Sequence, residues 1–171
     1  MLKKVIGVLI GALVIGMLII SGCTAKEGAV MAKNGDTVKV HYTGKLNDGS
    51  VFDSSEGREP LEFVLGSGAM IQGFDKAVNG MEVGQSKTVT ILAAEAYGPY
   101  QEEMVLEVNR DQLPAGMSPE VGEQLQMRNA YGGTAIVTVI ETSDTSIKVD
   151  ANHPLAGKDL IFELELVQVN P

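Results

Sequence analysis

The chain has 171 residues, 44% of them hydrophobic, with one cysteine, no tryptophan and a formal net charge of −9 at pH 7. That length fits one ordinary domain or two small ones. The lone cysteine excludes an intrachain disulfide framework, and an acidic chain without a basic cluster argues against a nucleic-acid partner.

The chain opens on a targeting signal. Lys3 and Lys4 precede an apolar run from Val5 to Ile20, which then meets Ser21-Gly22-Cys23. A basic start, an apolar stretch and a small-residue exit make residues 1–22 a secretory signal peptide. The run is short for a membrane span, although an uncleaved anchor is the alternative. Ile20-Ser21-Gly22-Cys23 resembles the bacterial lipobox, which implies that Cys23 becomes the lipidated first residue of the mature protein. The remainder is then expected outside the cytoplasmic membrane, held by lipid at a periplasmic or cell-surface face. Without Lys3 and Lys4, eleven basic residues stand against 22 acidic ones, a surplus that keeps an adherent surface soluble. Residues 23–33, small, polar and alanine-rich, read as a tether.

Beyond the tether, Asp36 to Thr43 alternates apolar and polar residues and is expected to form a half-buried strand. Asn47-Asp48-Gly49 marks a turn, Val51-Phe52 starts the returning strand, and Asp53-Ser54-Ser55 reads as loop or bulge. Leu61, Phe63 and Leu65 alternate again. From Gly66 to Gly84 the pattern changes: Phe74, Ala77, Val78 and Met81 recur at helical spacing, and Asn79-Gly80 is a helix stop. A helix this short needs a sheet to pin it, which puts Met70, Ile71 and Phe74 at the seam between the two. Strands are expected at Ser86 to Leu92, Met104 to Val108, Gln124 to Arg128, Thr134 to Ile140, Ser146 to Asp150 and Leu160 to Val169. Turns fall at Tyr131-Gly132-Gly133 and Ser143-Asp144. The result is an α+β chain, mostly antiparallel, with one confident helix. Residues 99–149 carry their own strands and turns and are expected to be inserted into an outer domain made of 34–98 and 150–171.

The order of motifs resembles the FKBP-type peptidyl-prolyl isomerases, in the SlyD-like branch with an insert in the flap. The matching stretches are Val40-His41-Tyr42-Thr43-Gly44, Gly49-Ser50-Val51-Phe52-Asp53-Ser54-Ser55, Pro60-Leu61-Glu62-Phe63-Val64-Leu65-Gly66, Met70-Ile71-Gln72-Gly73-Phe74-Asp75, Gly80-Met81-Glu82-Val83-Gly84 and Ala96-Tyr97-Gly98. After the inserted block come Asn152-His153-Pro154-Leu155-Ala156-Gly157 and Leu160-Ile161-Phe162-Glu163-Leu164. Any one of these is weak, but together they span nearly all of the mature chain in order.

The resemblance implies a twisted antiparallel sheet wrapped on one short helix, with a small mostly-β domain inserted in the flap loop. It implies catalysis by Tyr42, Phe52, Asp53, Tyr97 and Phe162, with Leu61, Met70, Ile71 and Phe74 binding substrate. Phe74 replaces the tryptophan and Leu61 the aromatic of many eukaryotic members, so a shallower floor is expected. The insert would be a chaperone lobe, with Met104, Leu106, Met117, Leu125 and Met127 on its binding surface; flexible methionines make an adaptable surface. Proline-containing unfolded polypeptides are the implied partners, and a monomer is expected.

Each residue also has a plainer reading. Tyr42, Phe52 and Phe162 on strands could be core, Asp53 an Asx-turn residue, Tyr97 loop packing, and about half of the insert's apolar residues the lobe's own core. No cofactor is needed, because rotating an X-Pro bond means losing amide resonance, and a site that prefers the twisted form suffices. His41 and His153 lack ligand spacing, so no metal site is expected. A non-catalytic holdase using only the inserted lobe is the competing function.

Overall fold

A computed structural model describes residues 30–128 and 132–171. The expected signal segment, Cys23, most of the expected tether and Tyr131 of the expected turn lie outside them. Two antiparallel sheets account for the strands. The first joins β1 (Thr37–Lys45), β2 (Val51–Ser54), β3 (Leu61–Val64), β4 (Ser86–Ile91) and β9 (Leu160–Asn170). β1 is its spine: one edge pairs along its length with β9, and the other is shared by β3 at the start and β2 at the end. β4 completes the sheet on the far side of β9. The second sheet contains β5 (Val105–Asn109), β6 (Gln124–Arg128), β7 (Thr134–Thr142) and β8 (Ser146–Asp150), in the order β5-β8-β7-β6.

Alternation settles which face of the first sheet is covered. Val38 and Val40 of β1, with Leu160, Phe162, Leu164 and Leu166 of β9, point to one side and are buried. The other side carries ion pairs, Lys39–Glu62 at 3.1 Å and Lys45–Glu163 at 2.5 Å, both solvent-facing and so of small energetic weight. The only α-helix among the described residues, α1 (Gln72–Val78), presses Phe74, Ala77 and Val78 onto the apolar face. Seven residues cannot hold a helix alone, so packing supplies what propensity does not. The approach is close: a Cβ on Gly73 would sit 2.2 Å from Ile91 Cγ2, so only glycine fits where α1 crosses β4. The helix ends at Asn79, which is extended, while Gly80 takes the left-handed turn at φ +82°.

Three details differ from the sequence expectation. Asp53 and Ser54 belong to β2 rather than to a loop, because they pair in register with Gly44 and Thr43 of β1. Residues 30–33 of the expected tether are docked: Ala32 is buried, its N–H reaches Met81 O at 2.9 Å, and its carbonyl accepts the Gly80 N–H at 2.8 Å. Asp150 ends β8 as its strand pattern expects, and its pairing with Val105 keeps it with the second sheet, one residue past the expected boundary of the insert.

Candidate functional site

The seam between α1 and the sheet opens at one end into a hollow of about 300 Å³. It is lined by Tyr42, Phe52, Asp53, Leu61, Ala69, Met70, Ile71, Phe74, Tyr97 and Phe162. All nine side chains singled out for catalysis and substrate binding therefore meet at one place, although 120 residues of chain separate the first from the last. Phe162 and Phe74, nearly buried, form the floor. Their rings meet edge to face at 5.3 Å, and Phe162 meets Phe52 in the same manner at 5.7 Å. Tyr42 closes on Phe74 at 6.0 Å and 87°. Edge-to-face contacts of this kind fix ring positions beyond what apolar burial does. Phe63 extends the cluster behind Phe74, at 5.7 Å, but faces core rather than hollow. The plainer readings hold in part, since Phe162 and Phe74 are core and floor at once.

The polar side of the rim is organised by one carboxylate. The Tyr42 hydroxyl donates to Asp53 Oδ2 at 2.5 Å, and Arg58 Nη2 donates to Asp53 Oδ1 at 2.8 Å and to the Ser54 carbonyl. Burial, with the hydrogen bond to Asp53 next, pushes the Tyr42 phenol up to about 12. The bond from Tyr42 holds the Asp53 carboxyl below the usual carboxylate range, with Arg58 and the Ser54 N–H adding to it. A carboxylate with both oxygens engaged and a depressed pKa is a poor proton shuttle at neutral pH. Asp53 is thus fitted to orient the Tyr42 hydroxyl and Arg58.

Sequence reasoning passed over four contributors. Ala69 lines the hollow, and Arg58 anchors Asp53. Gly44 lies beneath the aromatic pair, where a Cβ would fall 2.5 Å from Phe52 Cζ and 3.0 Å from Phe162 Cε1. His153, weighed only as a metal ligand, stacks flat on Tyr97. Gly44 and His153 were legible only as members of motifs, Arg58 reaches Asp53 across five residues of the same segment, and the stack of His153 on Tyr97 exists only once distant segments fold together.

A wider depression of about 450 Å³ lies on the outward face of the sheet, lined by His41, Ser55, Glu56, Lys87, Glu163 and Glu165 among others. Its Ser–His contact, Ser55 Oγ to His41 Nδ1 at 3.0 Å, is not a nucleophile pair. Ser55 is buried, and its hydroxyl also receives the Tyr42 N–H at 2.8 Å, joining β1 to the loop after β2. In the second sheet Val137, Val139, Ile147 and Val149 form a small core. Beside it runs a groove of about 370 Å³ lined by Val108, Leu113, Pro114, Met117, Leu125 and Met127 with neighbouring polar residues. Of the five residues expected on a chaperone surface, Met117, Leu125 and Met127 share this groove. Met104 and Leu106 are exposed but lie apart from it.

A sheet folded over one short helix, with an aromatic hollow at its seam, defines a site suited to enclosing an apolar group. The chain belongs to the FKBP-type peptidyl-prolyl cis-trans isomerase family, whose profile matches residues 28–167. It is similar to the FKBP-type peptidyl-prolyl cis-trans isomerase SlyD of Treponema pallidum, 39% identical over 132 residues, covering 77% of this chain and 74% of the relative. The short-type peptidyl-prolyl cis-trans isomerase of Methanocaldococcus jannaschii is 36% identical over 156 residues, covering 82% of this chain and 96% of that protein. SlyD of Escherichia coli is 33% identical over 133 residues, covering 77% and 67%. The protein is an FKBP-type isomerase of SlyD-like kind, which decides against a purely non-catalytic holdase.

Proposed function

We propose that the aromatic hollow is the prolyl site, that the groove of the second sheet holds unfolded segments, and that the protein serves exported polypeptides from a lipid anchor on Cys23. The observation that carries the first part is the convergence of Tyr42, Phe52, Leu61, Ile71, Phe74, Tyr97 and Phe162 on one open, apolar hollow. A planar amide is more polar than a twisted one, so a water-poor aromatic enclosure favours the twisted form and lowers the rotational barrier. Phe162 and Phe74 lie under the proline ring, Phe52 and Ile71 flank it, and Tyr97 donates to a substrate carbonyl to fix its orientation. Asp53 acts through Tyr42 and Arg58. No bond is made or broken.

Support for the holding role comes from Met117, which is exposed, and Met127, half-buried against the small core, two flexible side chains that share one groove. Residues 99–149 are its extent in this reading, and the molecule works as a monomer. Two measurements test the division of labour and the anchor. Met117→Glu with Met127→Glu should abolish suppression of aggregation of an unfolded protein while sparing isomerisation of a short X-Pro peptide; loss of both, or of neither, would contradict the division of labour. Cys23→Ala should move the protein from the membrane to the soluble fraction, and an unchanged distribution would remove the anchor.

A further inference from the structure

Tyr97 stands at the mouth of the hollow, 40% exposed, on the loop that follows the 3₁₀ turn Ala93–Glu95. An open side chain on a loop has rotamers that swing into solvent, and a donor that swings away cannot orient a carbonyl. Here the ring has a backing plate. It lies flat on the imidazole of His153, with centroids 3.8 Å apart and planes within 3°.

The imidazole is itself held. Its Nδ1 accepts the Leu155 N–H at 3.1 Å, which sets the tilt of the ring. The preceding residue, Asn152, clasps the opposite connector of the inserted lobe. Its Oδ1 accepts the Gln101 N–H at 2.9 Å, and its Nδ2 donates to Gln101 O at 2.9 Å and to Asp150 Oδ1 at 2.7 Å. Beyond His153, the Gly157 N–H reaches Gly98 O at 2.8 Å, next to Tyr97. His153 is therefore held through its own ring nitrogen and by bonds at the residues on either side, whereas the Tyr97 ring has the imidazole as its flat partner.

We propose that His153 is a positioning residue for the isomerisation: it does not itself line the hollow, and it acts by holding the ring of Tyr97, which does, in place over the mouth. This rests on the reading of Tyr97 as the group that orients the substrate carbonyl. The role requires a flat ring, with neither a proton nor a metal, so phenylalanine should serve and alanine should not. A histidine that only stiffened its own loop would influence the rate whether or not Tyr97 were present.

A double-mutant cycle on the full chain decides the matter, reading kcat/KM on a short X-Pro peptide together with the ring-proton shifts of Tyr97. His153→Ala should lower kcat/KM by about threefold to tenfold, the range an aromatic pair supplies. His153→Phe should recover activity to within about twofold. In a Tyr97→Ala background, His153→Ala should bring no further loss. The upfield shift of the Tyr97 ring should vanish in His153→Ala and persist in His153→Phe. Wild-type activity in His153→Ala, or equal losses in both backgrounds, overturns the positioning role and leaves the reading of Tyr97 intact. Wild-type activity in Tyr97→Ala overturns that reading, and the positioning role with it.

Discussion

Phe52 and Phe63 belong to one aromatic cluster, yet only Phe52 faces the hollow, so the two separate catalysis from packing. Phe63 is 7% exposed and packs behind Phe74; truncating such a ring to alanine costs about 3–5 kcal/mol. Phe52 sits half-buried on the short edge strand β2, with Phe162 as its ring partner at 5.7 Å. Its truncation should cost about 1–2 kcal/mol, most of it the lost ring contact and part of its burial. The order reverses for activity. Without Phe52 one wall of the hollow opens to water, and a loss of about 1.4–2.8 kcal/mol of transition-state stabilisation lowers kcat/KM about 10-fold to 100-fold. Phe63→Ala should keep kcat/KM within about threefold of wild type while it remains folded, because the lining is intact. Urea denaturation gives the first pair of numbers, and isomerisation of a short X-Pro peptide in the cold gives the second. If the rate losses rank with the stability losses, the hollow is only core and the reasoning is refuted.

Three further outcomes follow from the same geometry. Gly44→Ala should displace Phe52 and Phe162, cost about 1–3 kcal/mol by overpacking, and depress activity more than stability; an active Gly44→Ala protein would mean that the rings yield freely. The raised Tyr42 pKa gives stability that is whole below the unfolded value near 10 and is lost as pH rises through about 12. The urea midpoint of wild type should accordingly fall over that window relative to Tyr42→Phe, and parallel curves would deny the shift. The lowered Asp53 pKa has the opposite sense: its contribution is whole above the unfolded value near 4 and is lost as pH falls through the folded one. Asp53→Asn should flatten that acid limb, and an unchanged limb would show that the Tyr42–Asp53–Arg58 group does not form in solution.

Much of this was legible in the sequence wherever a single strand or helix carries its own pattern. The alternations of β6 and β8 gave their ends, and the spacing of Phe74, Ala77 and Val78 located α1 within a residue or two, although Met81, the fourth residue of that spacing, lies past its end. The residues of the hollow were legible through a resemblance rather than through periodicity, because a strand residue that lines a pocket and one that fills a core obey the same alternation. Asp53 and Ser54 looked like a turn because Asp and Ser favour turns, but pairing with β1 overrides that local preference. Val30 to Lys33 looked like linker because short apolar and small residues carry no period, and their docking depends on the distant segment Gly80 to Val83. The plate behind Tyr97 is a tertiary contact between residues 56 positions apart, and no local signal marks it.

The account stands or falls on where a proline sits while it turns. Exchange NMR on the protein with a short X-Pro peptide reports both the turning and the place. The expected result is cis–trans exchange cross-peaks for the peptide that appear only with protein present, with shift changes clustered at Tyr42, Phe52, Ile71, Phe74, Tyr97 and Phe162. Catalysed exchange with the changes gathered instead around His41, Glu163 and Glu165 on the outward face would contradict it.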